Sequence, residues 1–187
     1  MKVVATSIPD VLIIETAIHG DSRGFFVESF NQRDFNAATG TDYSFVQDCH
    51  SRSKKGVLRG LHYQLMQPQG KLLRVLRGSV FDVVVDIRRV SPTFGKWVGL
   101  ELSENSNLQV WVPPGLAHGF LTLSDNADLF YKTTDYYAPT LEHCIAWDDP
   151  DLAIDWPTQS GPMVSKKDRT GTSFLSAHLE GDGSIKC

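Results

Sequence analysis

His62 lies in the run GVLRGLHYQ (56–64), with Arg59 three residues before it and Gln64 two residues after it. A histidine can be a metal ligand, a general base or a polar filler of a core. A His-x-His pair at such a place would favour a metal, but this chain offers His62-x-Gln64. A centre built from His62, Gln64 and His118 is weak on two counts. Gln is a poor ligand for first-row metals beside His or a carboxylate, and Lys71 adds a competing positive charge. The residues therefore point to chemistry without a metal.

The run VPPGLAHGF (112–120) delivers a second histidine, His118, to the start of a strand. Loops and strand entries at a barrel mouth are where ligands are met. In FDVVVDIRR (81–89), strand alternation puts Asp82, Val84 and Asp86 on one face, and Phe81, Val83 and Val85 on the other. A wet sheet face would leave both carboxylates in solvent, whereas an interior one needs a partner. Two histidines and an inward Asp could line one pocket.

Alternation alone separates Arg59 from His62, so the two share a pocket only if Gly60 bends the strand. Lys71 follows QPQG and Arg23 lies in GDSRGFF. Each cation alone reads as a solvated surface charge. Several around one mouth would suit a phosphorylated or diphosphate-bearing substrate, because Arg meets phosphate bidentately. Tyr131, in DLFYKTT, is either a packed strand aromatic or a general acid, and its local sequence does not decide.

Elements that could position these residues are mostly short strands. VLIIETAIH (11–19) is β-branched and GFFVESF (24–30) alternates. The stretch 71–89 is two apolar runs broken at Gly78-Ser79, which predicts a hairpin. WVGLELS (97–103), LQVWVP (108–113), HGFLTLS (118–124) and DLFYKTTDYY (128–137) follow. Their spacing is that of an antiparallel sandwich or barrel, with SENSN, PPG and SDNAD as turns. Only NQRDFNAATG (31–40) reads as helix, with Gly40 as its stop. The expectation is an all-β jelly roll or small β-barrel with a few short helices.

With 187 residues, 41% hydrophobic and 21% charged, the chain reads as one globular domain. A formal net charge of −4 gives no basic surplus for a nucleic-acid partner. Three cysteines (Cys49, Cys144 and Cys187) fit no zinc spacing or disulfide framework, so a reducing cytoplasm is expected. No run approaches a membrane span, and no membrane partner is expected.

The motifs GDSRGFFVESF, QDCHSRS, GVLRGLHYQ, QGKLLRVLRGSVFDVVVDIRR, SPTFGKW, VPPGLAHGF and YKTTDYYAP, in this order, closely resemble the dTDP-4-dehydrorhamnose 3,5-epimerase family. The resemblance runs from about residue 3 to about residue 168. It implies a cupin-type jelly roll over residues 1–170, with a C-terminal arm and a weakly ordered or peripheral tail at 171–187. It also implies a homodimer with exchanged strands, no cofactor, and a dTDP-4-keto-6-deoxyhexose substrate on the route to dTDP-L-rhamnose. By position, the resemblance makes His62 the base with Asp168 as its carboxylate, Tyr131 the proton donor, and Lys71 the cation near the keto oxygen. His118 and Asp82 become a second pair. Arg23, Glu28, Gln47, Asp48, Cys49, Arg59, Glu142 and Lys167 match substrate-contacting positions, some reached from the partner subunit, and Phe26 a surface for the thymine. The family usually has Asn where this chain has Cys49. A thiol hydrogen-bonds more weakly than an amide, so nucleotide affinity or preference would change if that contact runs through the side chain.

Overall fold

The computed structural model describes residues 1–179. Fourteen strands form among them: β1 (Lys2–Ala5), β2 (Leu12–Glu15), β3 (Ile18–Asp21), β4 (Gly24–Val27), β5 (Gln47–Lys54), β6 (Val57–Gln64), β7 (Lys71–Arg77), β8 (Ser79–Asp86), β9 (Trp97–Ser103), β10 (Leu108–Val112), β11 (Leu116–Thr122), β12 (Asn126–Thr133), β13 (Glu142–Cys144) and β14 (Met163–Val164). One helix, α1 (Gln32–Thr39), lies where the sequence placed it. Asn31 caps its first turn and Gly40 closes it in the left-handed conformation. Among the described residues no helix is long and apolar enough to cross a membrane.

Two sheets face each other as a jelly roll. The first runs β1-β2-β10-β7-β12-β5 and the second β13-β6-β11-β8-β9, with β14 also pairing β6. Leu73, Val75, Val110, Val112, Ala127 and Leu129 of the first sheet meet Val80, Val84, Leu102, Leu116 and Phe120 of the second in a core between them. Each sheet is also covered outside. Phe35 of α1 packs on Ile14, Leu72 and Trp111 of the first sheet. Ile145, Leu152, Trp156, Phe174, Ala177 and Leu179 cover Leu58, Leu61, Val83, Val85 and Leu121 of the second. A sheet dry on both faces needs unbroken apolar runs, which is why LLRVL and VFDVVVD do not alternate cleanly.

Three expectations change here. Gly78-Ser79 does not close a hairpin: β7 pairs β10 and β12, whereas β8 pairs β9 and β11. The chain instead turns a corner from one sheet to the other. Gly78 takes φ 74°, and a Cβ there would lie 2.1 Å from the Asn126 carbonyl oxygen. A corner and a hairpin have the same local signature, because both need a glycine between two apolar runs. The segment 11–19 is two strands, since β2 stays in the first sheet while β3 leaves to form a separate hairpin with β4. The tail is not peripheral from 171: Phe174, Ala177 and Leu179 are buried. Three apolar residues at irregular spacing carry no periodicity by which to find them. Residues 180–187 lie outside the described residues.

Neither Asp82 nor Asp86 faces water; both are fully buried. Asp86 accepts from Arg88 at 2.9 and 2.8 Å, from Ser91 at 2.6 Å and from Thr93 at 2.6 Å. Burial alone would raise its pKa, but these donors outweigh it and lower the value to about 2. The carboxylate therefore stabilises the fold above its unfolded pKa, and that contribution is lost as the pH falls through about 4 towards about 2. The shift is worth about 2 kcal/mol. Asp86→Asn should lower stability by about that amount at neutral pH and flatten the acid limb of a denaturation-midpoint profile between pH 5 and 2. Chemical denaturation across that range checks both.

Candidate active site

An extra residue in β6 builds the site. His118 on β11 pairs with His62, and Phe120 pairs with Arg59, so Gly60 and Leu61 together oppose the single residue Gly119. This β-bulge cancels one step of alternation and puts Arg59 and His62, three apart in sequence, along one cavity. Only glycine serves at position 60. Its φ is 128°, and a Cβ would lie 2.5 Å from the Gly119 Cα and 2.8 Å from the His118 carbonyl oxygen.

The cavity, about 200 Å³, is lined by Ser51, Arg59, His62, Lys71, His118, Phe120, Leu129 and Tyr131. Its two walls come from different sheets. His62 and His118 stand on β6 and β11, while Lys71 and Tyr131 stand on β7 and β12.

Each histidine is held by a carboxylate behind it. His62 Nε2 lies 2.6 Å from Asp168 Oδ1, more than a hundred residues downstream. Burial would raise the Asp168 carboxyl, but hydrogen bonds from His62, Ser165 and the Gly60 N–H, with the nearby His62 ring, hold it below the ordinary value. Asp168 is therefore a carboxylate and accepts a hydrogen bond from His62 Nε2. His118 Nε2 lies 2.7 Å from Asp82 Oδ1. The other Asp82 oxygen is buried and has no hydrogen-bond partner among the described residues.

The opposite wall is tuned in two directions. Burial pushes the Lys71 ammonium down to about 8, and Glu142, Asp82 and Cys49 pull it partly back. At neutral pH the lysine remains mostly charged. Burial raises the Tyr131 phenol well above its ordinary range, and adjacent Cys49 adds to this while Arg59 opposes it. The phenol thus holds its proton. A neutral acid and a cation line one wall, and an imidazole backed by a carboxylate lines the other.

The chain as a whole resembles known proteins. A family model described as dTDP-4-dehydrorhamnose 3,5-epimerase matches residues 5–176. The chain belongs to the dTDP-4-dehydrorhamnose 3,5-epimerase family. It is 58% identical over 177 residues to the dTDP-4-dehydrorhamnose 3,5-epimerase of Pseudomonas aeruginosa, covering 95% of this chain and 98% of the relative. The crystal structure of dTDP-6-deoxy-D-glucose-3,5-epimerase from Legionella pneumophila, in complex with dTDP-4-keto-L-rhamnose, is 51% identical and superposes with a TM-score of 0.93 over 95% of this chain and 94% of that one. A 3′-monoepimerase from Streptomyces bikiniensis, in complex with dTDP-quinovose, is 37% identical with a TM-score of 0.87 over 94% and 88% of the two chains.

Not every family position gathers at this cavity. Glu142 does approach it, and its charge raises both Lys71 and Tyr131. Burial would raise the Glu142 carboxyl, but hydrogen bonds from Lys167 and Tyr137 lower it. Cys49 stands directly across from Tyr131 and accepts a hydrogen bond from Gln47 Nε2 at 3.1 Å. Asp48, one step along β5, points outward and pairs with Lys132 at 2.9 Å. Arg23 and Phe26 line a separate cleft on the β3–β4 hairpin, and Glu28 lines another beside Met1. Arg23 pairs there with Asp21, and Phe26 is 68% exposed.

Sequence reasoning missed Ser51, Phe120 and Leu129 as cavity walls. Each is two residues from a named candidate (Cys49, His118 and Tyr131), so strand alternation would have found all three. Tyr137 was missed too; its hydroxyl donates to Glu142 at 2.5 Å and its N–H to Gln47 Oε1 at 3.0 Å. Gln64, considered above as a metal ligand, is structural instead. Its amide donates to the Gln67 carbonyl at 2.8 Å and accepts from the Ala138 N–H at 2.8 Å, tying two loops together.

Two variants test this geometry. Gly60→Ala should cost more than about 2 kcal/mol, since backbone strain and a backbone clash add. Thermal melting reads the loss, and an unchanged midpoint would contradict the bulge. Lys71→Met should stabilise the unliganded protein at neutral pH, because it removes a charge that is costly to bury. The folded pKa lies near 8 and the unfolded near 10.5, so the gain, up to about 3 kcal/mol, should fade as pH rises between them. Denaturant unfolding at pH 7 and above pH 10 measures it.

Proposed function

We propose that this protein inverts C3 and C5 of dTDP-4-dehydro-6-deoxy-D-glucose to give dTDP-4-dehydro-L-rhamnose, in dTDP-L-rhamnose biosynthesis. One observation carries this reading: a base and an acid face one cavity from opposite sheets, with a cation beside the acid.

Both hydrogens to be inverted lie α to a ketone. Inversion needs a base on one face, a proton donor on the other, and a positive charge for the enolate oxygen. His62 Nδ1 is free to take the proton, and Asp168 stabilises the imidazolium that forms. Such general base catalysis is typically worth about 10²–10⁴ in rate. Lys71 supplies the charge at the enolate oxygen, and a preorganised donor of this kind contributes about 3–4 kcal/mol. An anion there also favours the protonated lysine, so binding opposes the burial that lowers its pKa. Tyr131, kept neutral by its surroundings, delivers a proton from the opposite face. The walls provide every group this chemistry needs, so no cofactor enters it.

Arg59 at the cavity and Lys167 at its rim suit the diphosphate. Arg23, Phe26 and Glu28 cannot serve the same cavity from their hairpin. We assign them to the cavity of a second copy in a homodimer that exchanges strands. The uncovered hairpin supports this, because Phe25 and Phe26 are each 68% exposed. Cys49 occupies the substrate-contacting position usually held by Asn, with Gln47 as its donor.

The test is solvent exchange. Purified protein in deuterated water should place deuterium at C3 and C5 of the 4-keto sugar. His62→Asn should abolish exchange by about 10²-fold or more; wild-type exchange in that variant removes the base assignment. Tyr131→Phe should exchange but invert poorly at one centre or both. Nuclear magnetic resonance of the product reads the outcome, and retention at C5 in the wild type would reassign the chain as a 3-monoepimerase.

A further inference from the structure

The cavity mechanism leaves one part-buried nucleophile unused. Cys144 on β13 is the direct cross-strand partner of His62. Its Sγ lies 4.0 Å from Asp168 Oδ1, the same oxygen that bonds His62 Nε2 at 2.6 Å. The ligand atoms of His62, Cys144 and Asp168 all lie within 4.8 Å of one another, the one such trio among the described residues. Nitrogen, thiol sulfur and carboxylate oxygen are the donor types that zinc selects.

We propose that His62, Cys144 and Asp168 form an inhibitory site for a thiolate-seeking divalent cation such as Zn²⁺. Tetrahedral zinc, with bonds of about 2.0–2.3 Å, sets its donors about 3.3–3.6 Å apart. The present separations run from 2.6 Å, between His62 and Asp168, up to at most 4.8 Å across the trio, so the donors must each shift by up to about an ångström to reach it. Cys144 is only partly buried, which gives the cation a route to the trio.

The free thiol resists ionisation, because burial and the neighbouring Asp168 push its pKa up to about 12. A bound dication reverses that local preference and deprotonates the sulfur. The balance is simple. Zn²⁺ binds Sγ, Oδ1 and Nε2, one thiol proton leaves to solvent, and the ring proton of His62 moves from Nε2 to Nδ1. Nδ1 is the atom that takes the substrate proton in the function proposed above, and the inhibitory half of this inference rests on that reading. The cation thus blocks the base without entering the substrate cavity. Magnesium, which prefers oxygen ligands and keeps its waters, has no matching site.

Cobalt reports the site directly. Chelator-stripped protein carrying Cys49→Ser and Cys187→Ser should bind one Co²⁺ per chain with a near-ultraviolet sulfur-to-cobalt band. Adding Cys144→Ser, with Cys144→Ala as a second variant and thermal melting to confirm folding, should abolish the band. A band that survives both overturns the site. Micromolar Zn²⁺ should stop deuterium exchange reversibly, Mg²⁺ should not, and Cys144→Ser should weaken zinc inhibition by about 10–100-fold. If zinc binds through Cys144 while exchange continues, and His62→Asn still abolishes exchange, the inhibitory proposal is overturned and the base reading stands. If His62→Asn also exchanges, the base reading itself is lost.

Discussion

The backbone crossing of Gly60 and Gly119 is the constraint on which the site rests. A regular β6 would put His62 and Arg59 on opposite faces, one inward and one outward. The bulge resolves this by placing two residues against one. It needs glycine on both sides, because a Cβ on Gly119 would meet the Arg59 carbonyl oxygen at 2.8 Å, just as one on Gly60 would strike Gly119. The same distortion frees the Gly60 N–H from regular pairing and turns it to Asp168. One local irregularity therefore orients His62, admits Arg59 and binds the carboxylate that pairs with His62.

That carboxylate comes from the far end of the chain, and this explains why both faces of the second sheet are dry. Asp168 begins a 3₁₀ turn, Asp168–Thr170. The following segment buries Phe174, Ala177 and Leu179 on the outer face of the sheet, against the cluster holding Leu58 and Leu61 of β6. Packing on the outer face thus stiffens the strand whose inner face carries His62. The apolar covering does double service, stabilising the fold and positioning the His62–Asp168 pair.

The sequence showed the strands, the helix and its caps, because each rests on local signals: alternation, an Asn cap, a terminal Gly. It also showed that Gly60 had to bend the strand if Arg59 and His62 were to meet. It did not show which strands pair. Gly78 carries the signature of a hairpin and of a corner equally, and only the packing of two sheets tells them apart. Nor did local pattern reveal that Asp82 and Asp86 are buried. Their partners, His118 in one case and Arg88, Ser91 and Thr93 in the other, become partners only once the fold is formed. The Asp168 pairing came from family resemblance alone, since no local pattern spans the 106 residues between it and His62. Arg23, Phe26 and Glu28 came by the same route, and the single chain leaves them away from the cavity.

What the fold finally supplies is a divergence of proton affinities across a narrow space. Burial acts on Lys71 and Tyr131 alike, but it disfavours charge, so it lowers the one and raises the other. A neutral phenol and a lysine poised near neutral pH follow from the same dry wall. Across the cavity stands His62, backed by a carboxylate and partly open to solvent, and the proposed mechanism divides acid, base and electrostatic roles between these two walls. Glu142 keeps this wall from going too far. Its negative charge, itself held by Lys167 and Tyr137, is the foremost of those that raise Lys71 against burial, with Asp82 and Cys49 behind it. A fully apolar wall would hold a neutral amine, and a neutral amine cannot stabilise an enolate. Glu142 therefore helps the lysine keep its charge, even though it carries the same sign as the enolate that the proposed mechanism would place there.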